Sequence, residues 1–214
     1  MKSNFDACLA EVLKHEGGWA DHPKDPGGAT MKGVTIGTFA QFKGRKVSKD
    51  ELRAISDADL RAIYRRKYWD VVKGDDLPAG LDMVAFDGAV NSGPSRGARW
   101  LQIGLNITAD GKVGPQTLAY ARAANVSQTI DYACNARLDF LRRLKTWPTF
   151  GKGWGRRVSD VRVTAKRMAL ADQVNETPKT EHVRPDVLKP EPRVSVWRIL
   201  WAALAAVFSS KSSK

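Results

Sequence analysis

The chain has 214 residues, 43% of them hydrophobic, enough for one cored domain with an appendage and too many for a disordered polyelectrolyte. Its 35 Lys and Arg against 23 Asp and Glu leave a formal charge of +12, which points to an anionic partner. Cys8 and Cys134 form no ligand spacing with His15, His22 or His182, so no metal and no cofactor is expected.

The first predicted helix carries Phe5, Cys8, Leu9, Val12 and Leu13 at steps of three and four, an apolar stripe for a core. Glu16 falls one turn beyond Val12 and Leu13, immediately before Gly17 and Gly18, where the backbone can turn away. Partial burial at a cleft edge disfavours an ionised carboxylate and would let Glu16 hold a proton near neutrality, as protonating a leaving oxygen requires. Trp19 would supply the apolar wall. A Glu at a glycine-capped helix end is the plain structural alternative.

Asp25-Pro26-Gly27-Gly28 reads as a turn, and Ala29 to Gly37 as a short β-prone hairpin. Ser48 with Glu51 is a capping-box signal, and Ser56 opens a helix carrying Leu60, Ile63, Tyr64 and Tyr68. Tyr68 and Trp69 read as core aromatics rather than sugar platforms. Pro78 precedes a helix through Val90, and Asp87 and Asn91, four apart, face one direction, either into the cleft or as a structural pair.

Further on, Asp110-Gly111 marks a tight loop before a helix entered through Gly114 and Pro115. Ser127 precedes a long helix carrying Ile130, Ala133, Cys134, Leu138 and Leu141, and another runs from about Trp154 to Asp172. Strand-like runs are scarce, so the expected fold is mainly α with a small β-hairpin. Both cysteines fall on apolar helix faces and are expected as buried free thiols, with a disulfide the alternative in an oxidising compartment. Residues 137–168 hold ten Lys or Arg against Asp139 and Asp160, a patch for polyanions or a solvated face. Nucleic acid, with Trp147 and Trp154 as stacking rings, is the competing polyanion. No helix-turn-helix, zinc-finger or RNA-binding signature accompanies the charge, so nucleic acid is not expected as a partner.

Residues 174–193 carry Pro178, Pro185, Pro190 and Pro192 among alternating charges and read as an extended linker. Residues 194–214 form an apolar tail in which Val194 to Phe208 is apolar on nearly every side, with Trp197, Arg198 and Lys211 suited to an interface. Fifteen helical residues reach roughly 23 Å, short of a hydrocarbon core of roughly 30 Å. A membrane anchor or inserting tail is nevertheless expected there, with a docked helix as the alternative. Met1-Lys2-Ser3-Asn4 leads straight into an amphipathic helix, so no cleavable signal peptide is expected.

Four segments in order carry a resemblance: His15-Glu16-Gly17-Gly18-Trp19, the stretch from Asp25 to Thr35, Tyr68-Trp69-Asp70, and Phe86 to Gly93. Together they resemble glycoside hydrolase family 108 over about residues 5 to 170. The resemblance implies a lysozyme-like N-acetylmuramidase of the kind found in phage lysis cassettes and bacterial secretion systems, with peptidoglycan as its partner. It puts Glu16 in the place of the catalytic acid. Asp25 and Thr30 resemble the Asp and Thr that follow the acid in phage-type lysozymes. The spacing between them is about one residue shorter here, so Thr35 competes with Thr30. Trp19, Thr35, Asp87 and Asn91 are then expected on the substrate side.

Thr108 to Leu118 resembles the DG-x-x-GP-x-T pattern of small helical peptidoglycan-binding modules, for which a loop-helix packing unit is the alternative. The expected division is 1–93 as the lysozyme-like catalytic region, 94–173 as a peptidoglycan-binding-like helical region packed on it, then linker and tail. Glycoside hydrolysis usually needs two carboxylates, here Glu16 and Asp25. If Asp25 only caps a turn, Glu16 acting alone suggests a lytic transglycosylase; a non-catalytic wall-binding protein is the third reading. Synthesis in the cytoplasm and action in the periplasm are expected, through a holin, a secretion system or the tail itself.

Overall fold

The computed structural model describes residues 4–21 and 27–176, so Asp25, most of the proline-rich linker and the apolar tail lie outside the described residues. Helix α1 (Phe5–Leu13) buries Phe5, Cys8, Leu9 and Val12, the predicted stripe. The chain leaves it through tight turns, the His15 amide donating to Val12 O at 3.0 Å and the Glu16 amide to Leu13 O at 3.3 Å.

Strands β1 (Trp19–Ala20), β2 (Thr30–Met31) and β3 (Val34–Thr35) pair antiparallel in that order, Trp19 opposite Met31 and Thr30 opposite Thr35. The expected hairpin thus gains a third strand, and two residues are too few to show alternation in sequence. Thr35 then caps α2 (Ile36–Lys43), its hydroxyl accepting from the Thr38 amide at 3.2 Å. Ser48 and Glu51 form the predicted capping box on α3 (Lys49–Arg53), and Ser56 caps α4 (Asp57–Tyr64). A π-helical turn, Arg65–Trp69, continues α4, and a 3-10 turn covers Gly74–Asp76.

Five helices complete the body: α5 (Leu81–Ser92), α6 (Pro94–Gly104), α7 (Pro115–Ala123), α8 (Val126–Arg142) and α9 (Trp147–Glu176). Helix α5 is buried on every side from Leu81 to Ala89, as a helix at the centre of a core must be. Phe5, Trp69 and Phe86 meet edge to face around it with centroids 5.3 to 5.9 Å apart. Truncating one of these rings to alanine would cost about 3–5 kcal/mol. Helices α5 and α6 cross at glycine: a Cβ on Gly97 would lie 2.5 Å from the Ala89 amide nitrogen and 2.6 Å from Ala85 O. Backbone contact this close holds α5 in one register.

Two helix starts differ from expectation. Helix α8 is capped by Asn125, whose side chain accepts from the Gln128 amide at 3.0 Å, and not by Ser127. Helix α9 begins seven residues before the predicted Trp154, because Pro148 falls in its first turn, where a missing N–H is harmless. Cys8 and Cys134 are free and buried, and burial pushes both thiols up. Among the described residues no helix is long and apolar enough to cross a membrane, and no acidic, His or Cys cluster could hold a metal ion.

Candidate functional site

Glu16 lies between α9 and the β2–β3 turn, its side chain 18% exposed. Arg157, on the buried stripe of α9, donates from Nη1 to Glu16 Oε1 at 2.8 Å. The other edge of the same guanidinium faces Asp87 on α5, with Nε donating to Oδ1 at 2.9 Å. Arg137 on α8 takes the second oxygen of Asp87 and donates from Nη2 to Asn91 Oδ1 at 3.1 Å. Two carboxylates and two guanidiniums thus form one line from the partly exposed Glu16 to the fully buried Asp87 and Arg137.

The two guanidiniums explain how Asp87 can be ionised at 0% exposure. Burial acts to raise its pKa, and Arg137 and Arg157 outweigh that and hold it below the ordinary carboxylate range. For Arg157, burial works against the charge, while Asp87 and Glu16 more than offset it and hold the guanidinium above its usual value. His15 approaches Asp160 of α9, with Nε2 3.9 Å from Oδ2, too long for a hydrogen bond.

The Oε2 side of Glu16 faces Gly33 and Tyr64. A Cβ on Gly33 would lie 2.9 Å from Glu16 Oε2 and 2.5 Å from the Tyr64 hydroxyl oxygen, and the backbone there has φ +76°, so glycine is required on both counts. Tyr64 donates to Lys32 O at 2.8 Å and so ties α4 to the turn. Burial first, and then the Glu16 charge, push the Tyr64 and Tyr68 phenols up, so both remain protonated beside the carboxylate. Among the described residues, no hydrogen-bond donor reaches Glu16 Oε2.

The sequence-predicted residues fall in different places. Asp87, expected on the substrate side, is fully buried with its oxygens filled by two arginines, and Arg157 links it to Glu16. Asn91, at the end of α5, is half-buried and holds Arg137. The Thr35 hydroxyl is engaged in capping α2, and Thr30 donates weakly to Gly28 O at 3.3 Å while facing Thr35 across the sheet. Trp19 lies on β1 with its ring under the Arg53 guanidinium at 4.4 Å. Arg157, Gly33 and Tyr64 are placed against the Glu16 carboxylate. Asp25 lies outside the described residues.

Arg137, Arg157, Gly33 and Tyr64 were missed by sequence reasoning. The arginines had a legible signal, since each is a permanent charge within the apolar stripe of its helix, Arg137 between Cys134 and Leu141 and Arg157 beside Val158 and Val161. The expected basic patch is correspondingly divided. Arg162 and Lys166 pair with Asp131, Arg142 approaches Asp139, and Arg143, Lys145, Lys152 and Arg156 stay exposed near the start of α9.

The Asp110 loop is closed by a side chain of α6. Buried Gln102 donates to Asp110 Oδ1 at 2.7 Å, to Lys112 O at 3.0 Å and to Thr117 Oγ1 at 3.1 Å, and accepts from the Gly111 amide at 2.8 Å. The polar groups of the DG-x-x-GP-x-T pattern therefore hold a loop onto a helix.

The profile of the Glycosyl hydrolase 108 family matches residues 9–93. The solved structure of Brucella abortus SagA is 45% identical in sequence, with a TM-score of 0.69 and a match that covers 78% of this chain and 95% of the SagA chain. Among curated proteins, none matches the chain.

Proposed function

This chain belongs to the glycosyl hydrolase 108 family and is a peptidoglycan hydrolase; from that premise we propose that it is an N-acetylmuramidase in which Glu16 is the general acid. The bond cleaved is the β-1,4 linkage between N-acetylmuramic acid and N-acetylglucosamine. The observation that carries this reading is the asymmetry of the Glu16 carboxylate. Arg157 holds Oε1 at 2.8 Å, while Oε2 faces the glycine turn with no donor from the described residues.

In the proposed reaction the proton on Oε2 passes to the glycosidic oxygen as the bond to the anomeric carbon breaks. Water adds at that carbon and gives its proton to a second carboxylate. Asp25 takes that role by its resemblance to the second acidic residue of phage-type lysozymes. Thr30, by its resemblance to the Thr that follows the acid in phage-type lysozymes, would steady the water, and Trp19 and Asn91 would border the glycan. The role in the cell is lysis or local wall remodelling, with access through a holin or a secretion system. The apolar run from Val194 to Phe208 supports a membrane attachment for the tail. Removing residues 177–214 should then release the protein from the membrane fraction and leave activity on purified wall unchanged.

The deciding experiment is mass spectrometry of fragments released from purified peptidoglycan, with borohydride reduction, for wild type, Glu16→Gln and Asp25→Ala. New reducible N-acetylmuramic acid ends that vanish in Glu16→Gln are expected. Anhydro ends would replace the hydrolase by a transglycosylase, and full activity in Asp25→Ala would remove Asp25 from the mechanism.

A further inference from the structure

The first turns of α9 have a composition that helix stability does not explain. Trp147, Phe150 and Trp154 alternate there with Gly151, Gly153 and Gly155, although glycine is among the least helix-favouring residues. The rings form one cluster, Trp147 to Trp154 at 6.2 Å and Phe150 to Trp154 at 5.6 Å between centroids. A Cβ on Gly151 would lie 2.6 Å from the Trp147 indole, so this glycine seats that ring. Gly153 and Gly155 meet nothing within 4 Å and leave the helix surface bare beside the rings.

Position along the helix connects this cluster to the acid. Phe150 and Arg157 are seven residues apart and so share one side of α9, with Trp154 between them. Arg157 is buried against Glu16, Trp154 is half-buried, and Phe150 is 52% exposed. The helix face that touches the acid therefore becomes an open aromatic ledge over about 10 Å. Lys145, Lys152 and Arg156 are exposed alongside it.

We propose that Phe150 and Trp154 form a glycan-binding platform that extends the cleft away from Glu16, stacking on the apolar faces of N-acetylated sugar rings. The proposal rests on the glycosidase reading of Glu16. Aromatic faces suit a neutral sugar backbone, and the flanking cations suit the carboxylates of attached stem peptides. Continuity with Arg157 is what selects a glycan strand as the occupant.

The test is calorimetric titration of Glu16→Gln protein, which cannot turn over, with chitohexaose as the probe. Binding is expected, and it should weaken about tenfold or more when Phe150→Ala and Trp154→Ala are added, with helix content unchanged by circular dichroism. Phe150→Tyr should bind as the parent does. In the active background, Phe150→Ala should raise KM with kcat retained. Unchanged affinity in the alanine variants, absence of binding by the parent, or displacement of the hexamer by a single-stranded oligonucleotide would each overturn the proposal. The two readings fail separately. A wild type that releases no new sugar ends, but whose Glu16→Gln form still binds through the ledge, loses the hydrolase assignment and keeps the platform.

Discussion

The carboxylate of Glu16 and the guanidinium of Arg157 meet at 2.8 Å across 141 positions of sequence. Asp87 engages the opposite edge of the same planar group, so a single side chain aligns a partly exposed carboxyl group with a fully buried one. The direction in which Glu16 points is thus set by α9, which lies wholly beyond residues 9–93.

Arg157→Lys should expose this dependence. An ammonium cannot span both carboxylates, so kcat on soluble peptidoglycan fragments should fall about 10- to 100-fold with KM little changed. A residue that only supported the fold would shift the melting temperature and leave the kcat of the folded fraction intact.

Gly33→Ala should damage activity more than stability. The new methyl would meet the Tyr64 hydroxyl and the free oxygen of Glu16, and φ +76° adds backbone strain of about 1 kcal/mol. The expected result is a modest loss in urea unfolding free energy with at least a tenfold loss of wall-clearing rate. Equal losses in both would show that the turn does not address the acid.

Asp87→Asn should destabilise the protein by about 3–5 kcal/mol, since it leaves two buried guanidiniums facing a neutral amide. The sign with pH follows from its depressed native pKa. Asp87 contributes stability above its unfolded value near 3.9 and loses it as pH falls through the lower native value. The variant should therefore lack part of the wild-type loss of stability below about pH 4, measured by denaturant titration in acid.

Asp82 behaves in the opposite way. Burial pushes its carboxyl up to about 6, against hydrogen bonds from Asn4 and from the Gly80 and Met83 amides. The fold binds this proton more tightly than the unfolded chain does. Its contribution is complete below about pH 4 and is lost as pH rises through about 6, a change on the order of 3 kcal/mol. Relative to wild type, Asp82→Asn should gain stability across that window and hold the gain at neutral pH.

Local signals made much of this legible. The periodicity of α1 places Glu16 just past its buried stripe, and the four-residue step from Asp87 to Asn91 puts both on one side of α5. What that side would meet was not legible, because Arg137 and Arg157 arrive from 50 and 70 positions beyond Asp87. Thr35 could have been read as a helix cap from its spacing to Thr38. The early start of α9 is hidden by Pro148 and three glycines, residues that ordinarily argue against a helix. Tertiary packing overrides them there.

The ordering of the site along the chain also has a consequence during translation. At about 5–20 residues per second, synthesis of the stretch separating Glu16 from Arg157 occupies on the order of ten seconds. Throughout that interval the nascent chain carries Glu16 without its guanidinium partner. The guanidinium becomes available only when α9 emerges from the ribosome and docks, so the line from Glu16 to Asp87 closes late in synthesis.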